Sequence, residues 1–279
     1  LLGDGRLLIV SEETWTDENE EKWRNECHSL FERKLKEALQ QTTNPLEVGN
    51  RLGDILKELE TDAAQLVIPR AVYKWAKPEH LALWEPILQD ESTLSELRSI
   101  GTSIANTMRP LAGNVFAHWV AEVLNQAFEC YSLPLKCTTK GKIKAELSKN
   151  LTIKQGQEQV SLKPDMDMVI VHPAKAKPKQ QRALVIISAK TTLAERVLQT
   201  ITWKRYMAQV PEEVRHIRVF LVTAWETFPE NDINRQRVQE LDGVYVCNMS
   251  VQPYGRIKPF SAIIADIKEL IPAELNASS

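Results

Sequence analysis

"LVIISAKTTLAERV", Leu184 to Val197, begins as a run of β-branched and apolar residues and ends in a charged helical pattern. A short, nearly unbroken Ile/Val/Leu run fits a strand buried on both faces. Such a strand has no ordinary place for an ammonium, yet Lys190 closes it. The flanking texture alternates. "DMDMVIVH" (Asp165–His172) reads as a strand, and the Lys- and Pro-rich "PAKAKPKQQR" after it reads as turn and loop. "TLAERVLQTITWKRYMAQV" reads as a helix, "IRVFLVTAW" as a buried strand and "NDINRQRVQEL" as a helix. "GVYVCNMSV" is then a strand and "SAIIADIKELI" a closing helix. Upstream, "GNVFAHWVAEVLNQAFECYSL" is a strongly apolar helix, and "LKCTTKGKIKAELSKN" a hairpin or irregular strand. A helix, a strand pair and then strand–helix alternation predict an α/β core, a mixed central sheet flanked by helices.

The first third differs. "DENEEKWRNECHSLFERKLKEALQQ" spaces Trp23, Cys27, Leu30, Phe31, Leu35 and Leu39 as one helical face. "NPLEVGNRLGDILKELETDAAQLVIPR" continues in that style up to Pro69. Strand signals are scarce, so residues 1–105 are expected to form an all-helical N-terminal domain and 106–279 the α/β domain. The chain has 279 residues, 43% of them apolar, which is ample for a core. Its formal charge of −2 announces no polyanion partner, but recognition depends on where charges sit rather than on their sum. The four cysteines are scattered, with no CxxC and no Cys/His cluster, so reduced thiols in a prokaryotic-type cytoplasm are expected. No apolar run approaches the ~20 residues that span a bilayer. The opening "LLGDGRLLIV" is too short and too acidic for a secretory signal. No Walker loop or GxGxxG is present, which argues against nucleotide hydrolysis and dinucleotide redox chemistry.

The chemistry lies at the paired strands. Side chains alternate along a strand, so Asp165 and Asp167 share one face, and Ser188 and Lys190 share one face of the next strand. Two acids, a hydroxyl and an ammonium converging where strands leave the core need a reason, because buried charge is costly unless paired or metal-bound. A divalent ion supplies one. Mg²⁺ is commonly held by one or two carboxylates plus water and phosphate oxygens, and a lysine beside it counters charge developing on phosphorus oxygens. That chemistry is phosphodiester hydrolysis. The plain structural alternative is an ion pair between Asp165 and Lys190 at strand ends, with Asp167 solvated.

"PD" at Pro164–Asp165 with "SAK" at Ser188–Lys190 resembles the PD-(D/E)XK nuclease signature, in the form where serine replaces the first acid of the tripeptide. With "TTLAERV" following, the pattern resembles the type II restriction endonucleases that recognise CCGG. The resemblance runs roughly from Gly113 to Val210, and Pro164–Asp167 and Ser188–Arg196 are its specific parts. It implies a restriction-endonuclease-like core, Lys190 as the catalytic lysine and Asp165 or Asp167 as the metal-binding aspartate, with Ser188 in the site and Mg²⁺ as cofactor. The two aspartates stay unseparated: Pro-Asp favours Asp165, an acid followed directly by a buried run favours Asp167. This chain departs from its relatives in two places. Trp203 stands about where many carry a glutamate, and Ala117 fills a second glutamate slot. Glu122 is the nearest acid on that helix and the candidate to complete the metal shell, although a solvent-facing role suits it equally.

Thr192 and Glu195 fit a capping box. The same helix start suits a major groove, where glutamate accepts from cytosine N4 and arginine grips guanine O6 and N7. The resemblance implies that Glu195 and Arg196 read the CCGG core. Ala194 stands where relatives carry another arginine, which suggests that Lys204 or Arg205 takes over that contact. Duplex DNA is therefore the expected partner, and its palindrome implies a homodimer or higher homo-oligomer. Two alternatives remain in view: a structure-selective nuclease of the same fold (junction resolvase or repair type), and a catalytically decayed DNA-binding protein.

Overall fold

The run Ala183–Ala189 is buried along its whole length and forms an interior strand of a six-stranded sheet. The structure is a computed structural model that describes residues 17–67, 112–139, 153–155, 160–162, 166–173, 181–191, 196–207, 217–224, 228, 230 and 232–271. Helix α1 covers Asp17–Gln40 and α2 covers Pro45–Val67. The start of α2 is set locally: Asn44 Oδ1 accepts from Leu46 N at 3.1 Å, and Pro45 stands at the first helical position, where a missing N–H costs nothing. Helix α3 occupies residues 112–130, followed by β1 (Lys136–Thr139). Asn125 of α3 ties the two together, donating to Cys137 O at 3.1 Å and accepting from Cys137 N at 2.8 Å.

Strands β2 (Ile153–Gln155) and β3 (Val160–Leu162) form a separate antiparallel pair. The sheet continues with β4 (Met168–Pro173) and β5 (Gln181–Lys190), then α4 (Arg196–Met207) and β6 (Arg218–Thr223). Helix α5 (Ile233–Arg237), capped by Asp232, runs on as a 3-10 turn through Glu240. Strands β7 (Gly243–Val246) and β8 (Ile257–Pro259) and helix α6 (Ile263–Lys268) complete the order. The spatial order is β1-β4-β5-β6-β7-β8, antiparallel from β1 to β5 and parallel from β5 to β8. This is the expected mixed sheet, with β8 as an edge strand that the sequence pattern does not announce.

Register fixes the faces. Ile186, Ser188 and Lys190 stand beside Val219, Leu221 and Thr223 of β6. Side chains of neighbouring register partners share a face. Ile186, Val219 and Leu221 pack with Val197 and Ile201 of α4 and with Val238 and Leu241. On the other face Phe220 meets Tyr245 edge-on at 5.0 Å, and Tyr245 hydrogen-bonds Asp266 of α6. Helices therefore flank the sheet on both sides.

Contacts divide the chain into two units, Leu35–Leu56 with Gly113–Ser279, and Leu1–Lys34 with Lys57–Ala112. The boundary expected between residues 105 and 106 lies outside the described residues. Within the sheet-bearing unit, Gly53 N donates to Cys247 O at 2.9 Å, and a Cβ on Gly53 would overlap the Ala224 carbonyl oxygen. Only glycine allows this helix to approach the strand ends so closely. Asn50 Oδ1, one turn earlier, accepts from Ser261 N at 2.8 Å. No helix among the described residues is long and apolar enough to cross a membrane.

Candidate active site

Lys190 is the last residue of β5 and only 5% exposed. Its Nζ donates to Asp167 Oδ2 at 2.9 Å, and the same oxygen accepts from Ala189 N at 2.8 Å. Asp167 sits at a bend one residue before β4, not within the strand as the sequence pattern suggests. Its own N–H donates to Ile187 O at 3.0 Å, so the chain is held against β5 from both sides of the residue. The carboxylate thus replaces a ladder acceptor for Ala189 and neutralises an ammonium that has almost no water.

Ser188 is buried on the Lys190 face, two residues back along β5. Thr223, beside Lys190 in the register, is fully buried, and its hydroxyl has no partner among the described residues. Neither periodicity nor motif singles Thr223 out; the unpartnered hydroxyl appears only once the strands are paired. The Lys190 carbonyl accepts from Ala224 N at 3.1 Å, which extends the β5–β6 pairing past the strand end.

The other sequence-derived candidates fall elsewhere or outside the described residues. Asp165 and Glu195 are outside them, as is Thr192 of the capping-box pattern. Arg196 is the first residue of α4. Glu122 lies half-buried within α3, and its Oε1 accepts from Gln126 Nε2 at 3.4 Å, one turn along the same helix. Lys204 and Arg205 are at the far end of α4, and each is engaged by an acid. Lys204 Nζ binds Asp242 Oδ2 at 2.5 Å, and that oxygen also accepts from Val219 N at the start of β6. Arg205 grips Glu240 with two bonds, 2.9 and 2.8 Å. That pairing raises the Arg205 pKa and lowers that of Glu240, chiefly through the hydrogen bonds. The start of β6 is opposite to the strand ends where Lys190 stands, so the structure does not bring Lys204 and Arg205 to Lys190 and Asp167.

Asp167 is chemically suited to a hard divalent ion: an oxygen ligand whose side chain is 24% exposed, beside a fixed cation. No group of three or more His, Cys, Asp or Glu side chains able to hold a metal occurs among the described residues. Mg²⁺ needs no such cage, because it keeps several waters and takes few carboxylates.

A family model described as "BsaWI restriction endonuclease type 2" matches residues 142–264, a segment that includes Asp167, Ser188, Lys190 and Thr223. A Methanocaldococcus jannaschii protein named "Putative type II restriction enzyme MjaVIP" is 28% identical over 116 residues, 38% of this chain and 50% of that protein. The chain thus spans about half the length of that curated relative. Among solved structures, a PspGI–substrate DNA complex aligns over 88% of this chain and 93% of its own, at 16% identity and a TM-score of 0.44. A pre-specific BsaWI–DNA complex aligns over 89% and 91%, at 13% identity and 0.41. Metal-depleted Ecl18kI with uncleaved, modified DNA aligns over 91% and 89%, at 15% identity and 0.42. Likeness at that level transfers no residue role.

Proposed function

We propose that this chain is a type II restriction endonuclease, hydrolysing phosphodiester bonds in duplex DNA at a site with a CCGG core. The observation that carries this is the Lys190–Asp167 contact at adjoining strand ends, inside the segment matched by a restriction-endonuclease family model. A buried lysine held by one partly exposed carboxylate is unusual for an ordinary surface ion pair and apt for an anionic substrate.

In the reaction, a water oxygen bonds to phosphorus and one phosphorus–oxygen ester bond breaks, leaving a phosphomonoester and a free hydroxyl. Lys190 donates to the phosphoryl oxygen on which negative charge grows, and its near-complete burial strengthens that interaction. Ser188, buried on the same face two residues back, is the further residue of this strand assigned to the site. Asp167 would hold Mg²⁺, with Asp165 and Glu122 as the further acids, and the ion supplies charge that polarises the phosphoryl oxygen and acidifies water. Arg196, the first residue of α4, and Glu195, its neighbour in sequence, read guanine and cytosine edges, and a homodimer matches the two-fold of a palindromic site.

Digestion of DNA of known sequence with Mg²⁺, followed by sequencing of the ends, tests this directly. Discrete fragments ending at one common site containing CCGG are expected. Lys190→Ala should bind that DNA yet cut it at least about 10²-fold more slowly, as expected for loss of one transition-state donor. Arg196→Ala should lose the preference for the site while remaining folded. Preferential cutting of branched DNA over linear duplex would replace site recognition with structure selection.

A further inference from the structure

Thr223 ends β6 and stands beside Lys190 in the parallel register. The two side chains leave the sheet on the same face, with Cβ atoms roughly 5 Å apart in such pairs. Thr223 is 0% exposed and its Oγ1 has no hydrogen-bond partner among the described residues. Buried hydroxyls in folded proteins are almost always bonded, and valine would fill this space without a polar atom to satisfy. Lys190 presents the complementary surplus. An ammonium carries three donors, and Asp167 Oδ2, already taken by Ala189 N, accepts one of them.

If the Asp167 carboxylate turns to another cation, the ammonium loses its anion while buried too deeply for water to replace it. Its four-carbon stem is flexible, and the Thr223 hydroxyl lies one strand away within its sweep. We infer that Thr223 is a positioning residue, the second acceptor for the Lys190 ammonium, to which the lysine swings when Asp167 is drawn away. Lysine then keeps its place in the site through the exchange. The inference deepens the proposed function but rests on it only for the cleavage measurement below.

Unfolding of the metal-free full chain provides a test that needs no activity. In the wild-type background Thr223→Val should leave the melting temperature unchanged or raise it, because the hydroxyl is unpartnered at rest. In an Asp167→Asn background, where the charge on the first acceptor is gone, Thr223→Val should lower it by several degrees and Thr223→Ser should not. Equal effects of Thr223→Val in both backgrounds overturn the inference. Should Asp167→Asn fail to fold, single-turnover cleavage decides: Thr223→Val should be about tenfold slower with unchanged DNA affinity, and Thr223→Ser should recover the rate. A wild-type rate for Thr223→Val overturns it as well. A wild-type chain that cuts no DNA under any divalent ion would sink the proposed function, and the unfolding cycle would still decide the role of Thr223.

Discussion

Lys190–Asp167 and Lys258–Asp266, two of the lysine–aspartate pairs among the described residues, lie on opposite faces of the sheet and differ in what surrounds the charge. Lys190 and Asp167 meet where β5 ends, with the lysine side chain 6% exposed. Lys258 and Asp266 meet on the other side of the sheet, with the lysine side chain 37% exposed. Both aspartates accept two kinds of donor. Asp167 takes a backbone N–H besides the ammonium, whereas Asp266 takes the Tyr245 hydroxyl at 2.6 Å and Lys258 at 2.8 Å on each oxygen. The second group joins β7, β8 and α6, and its ammonium is open to solvent. It is a clasp, and its lysine could return to water at small cost. The first group buries a cation on a single carboxylate oxygen beside an unpartnered hydroxyl. Pairing alone therefore says little about function; burial of the cation and the unmet polar atom nearby set the first pair apart.

The largest expected difference between the pairs is in stability. Asp167→Ala leaves the Lys190 ammonium buried without a counter-charge, which should cost about 3–5 kcal/mol. Asp266→Ala should cost less, about 1–3 kcal/mol, mainly from stranding the Tyr245 hydroxyl, since Lys258 is partly solvated and its charge screened. Urea unfolding of the two variants measures both. An Asp266→Ala loss equal to or above that of Asp167→Ala would erase the distinction.

How much of this was legible in the sequence follows the range of the interactions. Lys190 and Ser188 show because a near-continuous apolar run makes a polar residue at its end conspicuous, and Asp167 shows because it adjoins a second run. The mixed sheet follows from the alternation of strand and helix patterns. The edge strand β8 does not show: three residues ending in Pro259 carry no period. Nor does the grouping of Leu35–Leu56 with the sheet, because its hydrogen bonds run from Gly53 N and from one Asn50 side chain to residues about 200 positions away, and a lone helical glycine or asparagine carries no such signal. The partners of Lys204 and Arg205 lie 38 and 35 residues away, beyond any local pattern.

The clasp side of the sheet should also respond to alkali. Burial, and then the hydrogen bond to Asp266, push the Tyr245 hydroxyl well above its ordinary value near 10. Burial likewise raises the Cys247 thiol above its ordinary value near 9. In the unfolded chain these groups release protons at their ordinary values, while the folded chain holds them. Stability is therefore complete below about pH 9 and declines as pH rises, by about 1.4 kcal/mol per unit for each group once its unfolded value is passed. Melting across pH 8–11 should trace that decline, and Tyr245→Phe should flatten the part above pH 10. An unchanged slope in Tyr245→Phe would remove the tyrosine from the account.

The smallest effect concerns the pair of Arg205 with Glu240, whose side chains are 67% and 45% exposed. Two good hydrogen bonds between solvated groups stabilise little, because water and salt compete for both partners. Arg205→Ala should leave the melting temperature unmoved. Under the proposed function, the more telling measurement is the sequence cut. Arg205 lies at the end of α4 remote from Arg196 and already faces an acid, so the bases selected should also be unchanged. A shifted cleavage site in this variant would mean that Arg205 leaves Glu240 to reach a base, and that a surface pair on this chain can be read as a stored DNA contact after all.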